Sequence, residues 1–152
     1  MNYWLVKSEA DCYSIDDFKK GKKTQWTGVR NYQARNFMRD MRVGDLVIFY
    51  HSGGTLPAAV GVAKVSKAAY PDDTALNKKD DHFDQKHTQA KPLWFAPDIS
   101  FVEKWQHPVS LADIKINPKL KGIMLAQQGS RLSVQPVSKA HFEIIRKLGS
   151  IS

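Results

Sequence analysis

The most regular hydrophobic pattern in the chain lies between Trp26 and Asp45. Its apolar residues recur at i, i+3, i+4 and i+7, the spacing of one helix face: Ala34, Phe37, Met38 and Met41. The opposite face holds an aromatic ring, two guanidinium groups and a carboxamide at the same spacing: Tyr32, Arg35, Asn36 and Arg39. The pattern predicts a helix from about Asn31 to Arg42 that buries one face and is stopped by Gly44.

Four other segments have the composition of β-strands. Tyr3–Ser8 is rich in aromatic and branched residues, and Asp45–His51 is the nearly continuous apolar run that is typical of a buried strand. Ala59–Val65 is predicted to pair with that run as a hairpin. Trp94–Trp105 is predicted to be a long strand, in which Pro97 requires an edge position or a bulge because proline has no N–H to donate.

The remaining elements are shorter. A brief strand is predicted at Arg131–Gln135, where alternation would direct three donors to a single face: Arg131, Ser133 and Gln135. Serines that can cap helices precede three short helical segments: Ser14, Ser110 and Ser138. Another short helix is predicted at about Lys119–Gln127, and residues 71–91 form a long polar connection with one helical turn near Ala75. Because strands and long crossover helices do not alternate, this order predicts one α+β domain over residues 1–152, built on a mostly antiparallel sheet or barrel.

Composition narrows the class of partner. The 152 residues carry a net charge of +8 and a pI near 9.6, which favours a polyanion such as nucleic acid. No apolar run approaches membrane-spanning length, and the N-terminus lacks the pattern of a signal peptide. A single cysteine, Cys12, excludes an internal disulfide. We therefore expect a monomeric cytoplasmic protein with no membrane partner.

No set of residues predicts catalysis or metal binding. His82 and His87 are five positions apart, which misses the i, i+4 spacing of a helical zinc pair. The sequence contains no Gly-x-Ser-x-Gly elbow and no glycine-rich phosphate motif, and its paired carboxylates are sequence neighbours. The prediction is a protein that is not an enzyme and that holds neither a metal nor a cofactor.

The binding signal is stronger. Trp26 precedes the arginine-rich helix in a loop, and Tyr50 and His51 end a buried strand, where side chains emerge at the rim of a sheet. Aromatic rings stack on bases, while guanidinium and amide groups bind phosphates and base edges. A structural interpretation stays open for each residue: the helix face could be merely solvated, Trp26 could fill the core, and Arg131 could pair with Asp45.

Four sequence pieces closely resemble the EVE domain, a member of the PUA-like superfamily. They are Tyr-Trp-Leu-Val-Lys-Ser-Glu at 3–9, Trp-x-Gly-Val-Arg-Asn-Tyr-Gln-Ala-Arg-Asn at 26–36, Val-Gly-Asp-Leu-Val-x-Phe-Tyr-His at 43–51 and Gly-Ser-Arg-Leu-Ser-Val-Gln-Pro at 129–136. The likeness covers nearly the whole chain. Ala10 stands where the family often has proline, and Ala96-Pro97 interrupts a strand that usually carries branched residues.

The resemblance implies a barrel of five or six strands flanked by helices, with a cleft that captures a modified base, above all a modified cytosine, of DNA or RNA. Carried onto this chain, it implies a base pocket made by Trp26, Arg30, Asn31, Tyr32, Tyr50, His51, Arg131, Ser133 and Gln135. Contacts at the rim and with the nucleic-acid backbone would come from Lys7, Ser8, Arg35, Asn36 and Arg39. Two alternatives stay open, an RNA-processing enzyme of ribonuclease type and a module that binds a protein or a small molecule.

Overall fold

A computed structural model describes residues 1–54, 56–128 and 131–150. Within these residues the chain forms six strands, which are β1 (Tyr3–Glu9), β2 (Lys23–Gln25), β3 (Leu46–Ser52), β4 (Ala58–Pro71), β5 (Phe95–Ser110) and β6 (Val134–Val137). The helices are α1 (Ile15–Gly21), α2 (Tyr32–Asp40), α3 (Leu111–Ile116) and α4 (Lys139–Gly149). Short 3₁₀ turns lie at Asp73–Leu76, Pro118–Leu120 and Met124–Ala126. No helix of this described part is long and apolar enough to cross a membrane.

The strands form one mixed sheet in the order β2-β5-β4-β3-β1-β6. The neighbours β1 and β3 are parallel, and the other neighbouring pairs are antiparallel. In the described residues β2 and β6 stand at the two ends of the sheet and are not joined, so the expectation of a closed barrel is wrong. Closure requires hydrogen bonds between the first and last strands, and the three-residue β2 is paired to β5 alone.

Alternation along the central strands produces two cores, one on each side of the sheet. Val6 and Phe49 belong to the core that contains α1 and α2. Leu5 and Ile48, their neighbours in sequence, belong to the core that contains α3 and α4. Successive side chains of a strand point to opposite faces, so this sheet must be covered by helices on both sides.

Helix α2 forms where it was predicted and buries the predicted face. Asn31 caps α2 by accepting a hydrogen bond from the Ala34 amide at 2.9 Å, and Ala34, Met38 and Met41 are buried. The prediction of a bulge at Pro97 is also confirmed, because the β4–β5 register shifts between Lys67 and Tyr70, opposite this proline. The sequence interpretation missed β2.

Two of the short elements differ from prediction. The segment predicted as one helix from Lys119 contains two 3₁₀ turns instead. The strand predicted at Arg131–Gln135 begins only at Val134, so Arg131 and Ser133 precede β6 and do not alternate along it. The register is set by the pairing of Val134 with Val6, which single-strand alternation cannot reveal.

Residues 72–94, here called the strap, leave the sheet after β4 and return at β5. The strap is closed at its base by the Asp72 amide, which donates to the Trp94 carbonyl at 2.8 Å. His87 is buried, and its Nδ1 accepts hydrogen bonds from the Leu93 and Trp94 amides at 3.0 Å each. Asp84 accepts from the Trp94 indole at 2.8 Å. The strap is therefore an ordered part of the fold that packs on its own side chains.

Candidate nucleic-acid interface

A cavity of about 570 Å³ lies where the two ends of the sheet approach each other. It is lined by β1, β2, the segment between β2 and α2, the strap and the approach to β6. Its residues are Lys7, Ser8, Cys12, Tyr13, Thr24, Gln25, Trp26, Thr27, Gly28, Val29, Arg30, Asn31, His82 and Ser133. The curvature of the sheet, which brings β2 and β1 to one opening, therefore creates the cavity, and its volume lies in the range of small-molecule sites.

Trp26 forms a wall of this cavity and also belongs to the core. Only 8% of its surface is exposed, and its ring meets Phe49 and Tyr13 edge-on, with centroids 5.5 and 6.3 Å away. Its amide donates to the Pro97 carbonyl at 2.9 Å, which anchors the start of the segment. Trp26 therefore packs in the core and lines the cavity at once, and its contact with a base stays a prediction.

The rim at Gly28–Arg30 is held by one buried carboxylate of the strap. Asp72 accepts from the Gly28 amide and from Arg30 Nη1, both at 2.9 Å, and from the Thr74 amide at 3.0 Å. Burial by itself would raise the pKa of Asp72, but these hydrogen bonds outweigh it and hold the pKa below its usual value. Arg30 also donates to the carbonyls of Val29 and His82, so its guanidinium serves mainly to fix the rim.

Lys7 is one of the residues that line the cavity. Lys7 is partly buried, and burial lowers the pKa of its ammonium group. Within the residues that the structure describes, Lys7 forms no ion pair. Beside it, Ser8 donates its hydroxyl hydrogen to the Tyr13 carbonyl at 2.7 Å, and burial raises the pKa of Tyr13. The nearby negative charge of Glu9 raises the pKa of the Cys12 thiol, which disfavours a reactive thiolate.

The outer face of α2 forms a separate surface beside the cavity. Tyr32 is 54% exposed and stacks on Trp94, with ring centroids 5.0 Å apart. Arg35 lies over Tyr32 at 5.0 Å and donates to the Leu93 carbonyl, so it ties the helix to the strap. Arg39 lies 4.6 Å from the Phe95 ring centroid. These residues and the exposed Asn36 do not line the cavity.

Five residues proposed from sequence for the base pocket do not line this cavity: Tyr32, Tyr50, His51, Arg131 and Gln135. Tyr50 is only 2% exposed and packs in the core on the α4 side of the sheet, because it alternates with Phe49. His51 lines a different cavity, and its Nε2 accepts from the Ile15 amide at 3.0 Å, so it stabilises the start of α1. Burial lowers the pKa of His51, which favours this neutral acceptor. Gln135 is buried in β6 and donates to the Leu132 carbonyl.

Arg131 is exposed before β6 and is not part of the cavity lining. The structure thus brings together six of the residues selected from sequence: Lys7, Ser8, Trp26, Arg30, Asn31 and Ser133. It adds others that the sequence interpretation overlooked, above all Tyr13, Gly28 and His82. Proximity to Trp26 could have indicated Gly28, but nothing in the local sequence reveals that the strap delivers His82.

Across the described ranges 1–54, 56–128 and 131–150, no group of three or more histidine, cysteine, aspartate or glutamate side chains converges as a metal site. His87 already uses Nδ1 to accept two backbone hydrogens, so that nitrogen has no lone pair left for an ion.

Comparison with known proteins places the chain in a family. The family model described as EVE domain matches residues 2–148. Human thymocyte nuclear protein 1 is 36% identical over 97% of this chain and 73% of its own length, and the Gallus gallus protein is 37% identical over 96% and 68%. A solved Pseudomonas syringae protein superposes with a TM-score of 0.93 at 45% identity, covering 96% of this chain and 98% of its own.

Human THYN1 has been solved in complex with DNA that contains 5-methylcytosine. That structure superposes with a TM-score of 0.92 at 34% identity and covers 100% of this chain and 99% of its own. A domain model that matches nearly every residue, together with relatives well above 30% identity across the chain, fixes the assignment. This chain belongs to the EVE domain family.

Proposed function

We propose that this protein binds nucleic acid and captures a modified base, with 5-methylcytosine as the first candidate, in the cavity beside Trp26. The observation that carries the proposal is a cavity of about 570 Å³ whose lining includes Trp26, Tyr13 and Lys7, together with the partial burial that lowers the pKa of the Lys7 ammonium group. Such a group is stabilised by a ligand that supplies acceptor atoms, as the edge of a base or a phosphate does. The complex of human THYN1 with 5-methylcytosine-containing DNA supports the same ligand class.

A base inside a duplex cannot reach this cavity, so the bound base must be flipped or unpaired. Unstacking costs a few kcal/mol, which contacts with the aromatic wall and hydrogen bonds to the base edge must offset. Trp26 and Tyr13 supply the wall, while Lys7 and Ser8 supply polar groups. A methyl group that fills apolar space would contribute about 1–3 kcal/mol to discrimination.

The strand outside the cavity would be held by the cationic face of α2. Arg39 makes no hydrogen bond or ion pair within the described residues, so its guanidinium donors are available to phosphate. Exposed Asn36 can add a neutral donor on the same face. Backbone contacts of this kind give affinity without sequence preference, so the base cavity would supply the selectivity. In this proposal the protein acts as a reader and performs no reaction.

The direct test substitutes Trp26 with phenylalanine. Trp26→Ala is a poor probe, because removal of a buried tryptophan costs about 3–5 kcal/mol of stability. Trp26→Phe keeps an aromatic ring against Phe49 but shortens the wall, and we expect about tenfold weaker binding of a 5-methylcytosine oligonucleotide by fluorescence anisotropy.

The matched control is His51→Ala, which lies outside the cavity and should leave the affinity of the folded protein unchanged. Equal affinity of Trp26→Phe and the parent for the modified oligonucleotide would place the base elsewhere. Incubation of the parent with labelled RNA and DNA, with and without magnesium, tests the reader against the nuclease alternative. Cleaved substrate would overturn the non-catalytic part of the proposal.

A further inference from the structure

His82 projects from the strap into the mouth of the cavity. Its side chain is 49% exposed, yet the residue is fixed on several sides. Its carbonyl accepts from Arg30 Nε at 2.9 Å, and its amide donates to Asp80 Oδ1 at 2.8 Å. A surface histidine that is needed only for solubility does not require these restraints.

The ring of His82 has a defined proton arrangement. Its Nδ1 lies 3.0 Å from Asp80 Oδ1, the same oxygen that accepts the His82 amide hydrogen. A carboxylate can only accept, so Nδ1 must carry a hydrogen. In the neutral imidazole Nε2 then has the lone pair, and it acts as a hydrogen-bond acceptor.

Contact with Gly28 sets the orientation of the ring. A Cβ atom placed on Gly28 would lie 2.9 Å from Cε1, 2.9 Å from Nε2 and 3.1 Å from Cδ2 of His82. Nearly equal distances to three neighbouring ring atoms mean that the ring lies flat over Gly28. The lone pair of Nε2, which lies in the plane of the ring, is therefore not directed at this glycine, and within the described residues Nε2 has no hydrogen-bond partner.

We propose that His82 is a specificity-determining residue whose Nε2 accepts a hydrogen bond from the exocyclic amino group of the captured base. Asp80 is the positioning residue that fixes the tautomer, and Gly28 provides the surface on which the ring rests. The inference rests on the proposed function and extends it. It names the substrate class as bases with an amino group at the pairing edge, of which cytosine is one.

The selectivity follows from the direction of the hydrogen bond, in which the base must donate and His82 must accept. 5-Methylcytosine and thymine share the ring methyl group, but one presents an amino donor where the other presents a carbonyl acceptor. The Nε2 acceptor therefore faces the amino donor of 5-methylcytosine, but it faces a second acceptor, the carbonyl oxygen, in thymine. We expect at least tenfold tighter binding of 5-methylcytosine than of thymine.

The experiment compares two single-stranded oligonucleotides that differ at one central base, 5-methylcytosine or thymine, and a third with unmodified cytosine serves as the reference for the parent. Affinities are measured by anisotropy for the parent, His82→Phe, Asp80→Ala and Asp80→Asn. His82→Phe keeps a flat ring over Gly28 but removes the acceptor, so the ratio of the two affinities should fall to near one. Asp80→Ala should lower the ratio as well, whereas Asp80→Asn retains an acceptor oxygen and should preserve it. His107→Ala, an exposed histidine outside the cavity, is the matched control.

The outcomes separate this inference from the proposed function. If the parent prefers 5-methylcytosine to thymine and His82→Phe retains that preference, the role of His82 is refuted while the base cavity stands. If the parent binds oligonucleotides with 5-methylcytosine, cytosine and thymine equally, the proposed function fails, and the inference fails with it. Loss of preference in His107→Ala as well as in His82→Phe would also count against a specific acceptor.

Discussion

At the scale of single residues, the charge of Lys7 is expected to favour ligand binding and to lower the stability of the folded protein. Its backbone belongs to β1, and its amide donates to the carbonyl of Ser133, the residue before β6, at 2.8 Å. Its side chain is partly buried, and burial lowers the pKa of the ammonium group. A charge that is desolvated without a partner destabilises the folded protein, and a ligand that supplies acceptors relieves this cost.

We expect Lys7→Met to weaken nucleic-acid binding and to raise the free energy of unfolding. Methionine keeps the apolar stem and removes the charge. Because the folded-state pKa lies below the unfolded value of 10.5, the penalty in the parent is full below the folded pKa and disappears as the pH rises toward 10.5. The stability advantage of the variant should shrink over that window. Urea denaturation at several pH values measures it.

Lys64→Met provides the control, because Lys64 is exposed on β4 and lies outside the cavity lining. This change should leave both binding and the pH dependence of stability close to those of the parent. A lower free energy of unfolding for Lys7→Met near neutral pH would show that Lys7 is already compensated in the unbound protein.

At the scale of elements, the strap determines the shape of the rim. Asp72 joins the strap to Gly28 and Arg30, and Trp94 at the other end stacks on Tyr32 of α2. Gly28 has a φ of +88°, which side chains other than glycine rarely adopt. The rim therefore keeps its conformation only while the strap supplies the Asp72 carboxylate.

We expect Asp72→Asn to destabilise the protein by about 3 kcal/mol, since the partly buried Arg30 loses its countercharge. The pKa of Asp72 is lowered in the folded state. Its contribution is therefore complete above the unfolded pKa of 3.8 and is lost as the pH falls through the folded pKa. The variant should lose less stability than the parent over that acidic range. Thermal unfolding between pH 2 and pH 6, about the range of carboxylate titration, measures the difference.

Hydrogen exchange offers an independent measurement on the same variant. The Gly28 amide, which donates to Asp72 in the parent, should exchange faster in Asp72→Asn. Asp73→Asn is the control, because Asp73 is exposed and neighbours Asp72 on the strap. Unchanged protection of Gly28 in Asp72→Asn would contradict the role given to the strap.

At the scale of the whole molecule, sheet curvature and charge act together. The β2 end and the β1–β6 end of the sheet line one opening, and the net charge of +8 favours a polyanionic ligand. Arginine carries much of the charge near the rim, where α2 packs against β5 through contacts such as Arg39 over Phe95. A nucleic-acid strand that enters the cavity would therefore run along α2.

We expect the logarithm of the binding constant to fall linearly with the logarithm of salt concentration, and Arg39→Gln to make the slope shallower by about 0.7 for single strands. This value corresponds to one phosphate contact. Titrations between about 50 and 200 mM salt give the slope. The control is Lys115→Gln, which removes the same charge from α3, on the side of the sheet opposite α2. This change should leave the slope nearly unchanged. Equal slopes for Arg39→Gln and the parent would exclude a direct phosphate contact by this arginine.

The sequence by itself determined those features that depend on local periodicity and on the total charge. The spacing of Ala34, Met38 and Met41 fixed α2 and its buried face, and the apolar run before His51 fixed a central strand. Serine caps at helix starts were equally visible, because capping is a contact between residues only three apart. The basic composition predicted the class of ligand that we propose, and the Trp26 segment is one that lines the cavity.

Only the tertiary structure decided which distant residues share the cavity. Tyr50 and His51 adjoin each other at the end of one strand, yet pairing in the sheet buries one and assigns the other to the start of α1. His82 lies more than fifty positions from Gly28, and the strap alone brings them together. The opening itself exists because β2 and β6 remain unjoined in the described residues. Which strands join depends on long-range strand register, and no local pattern encodes that register.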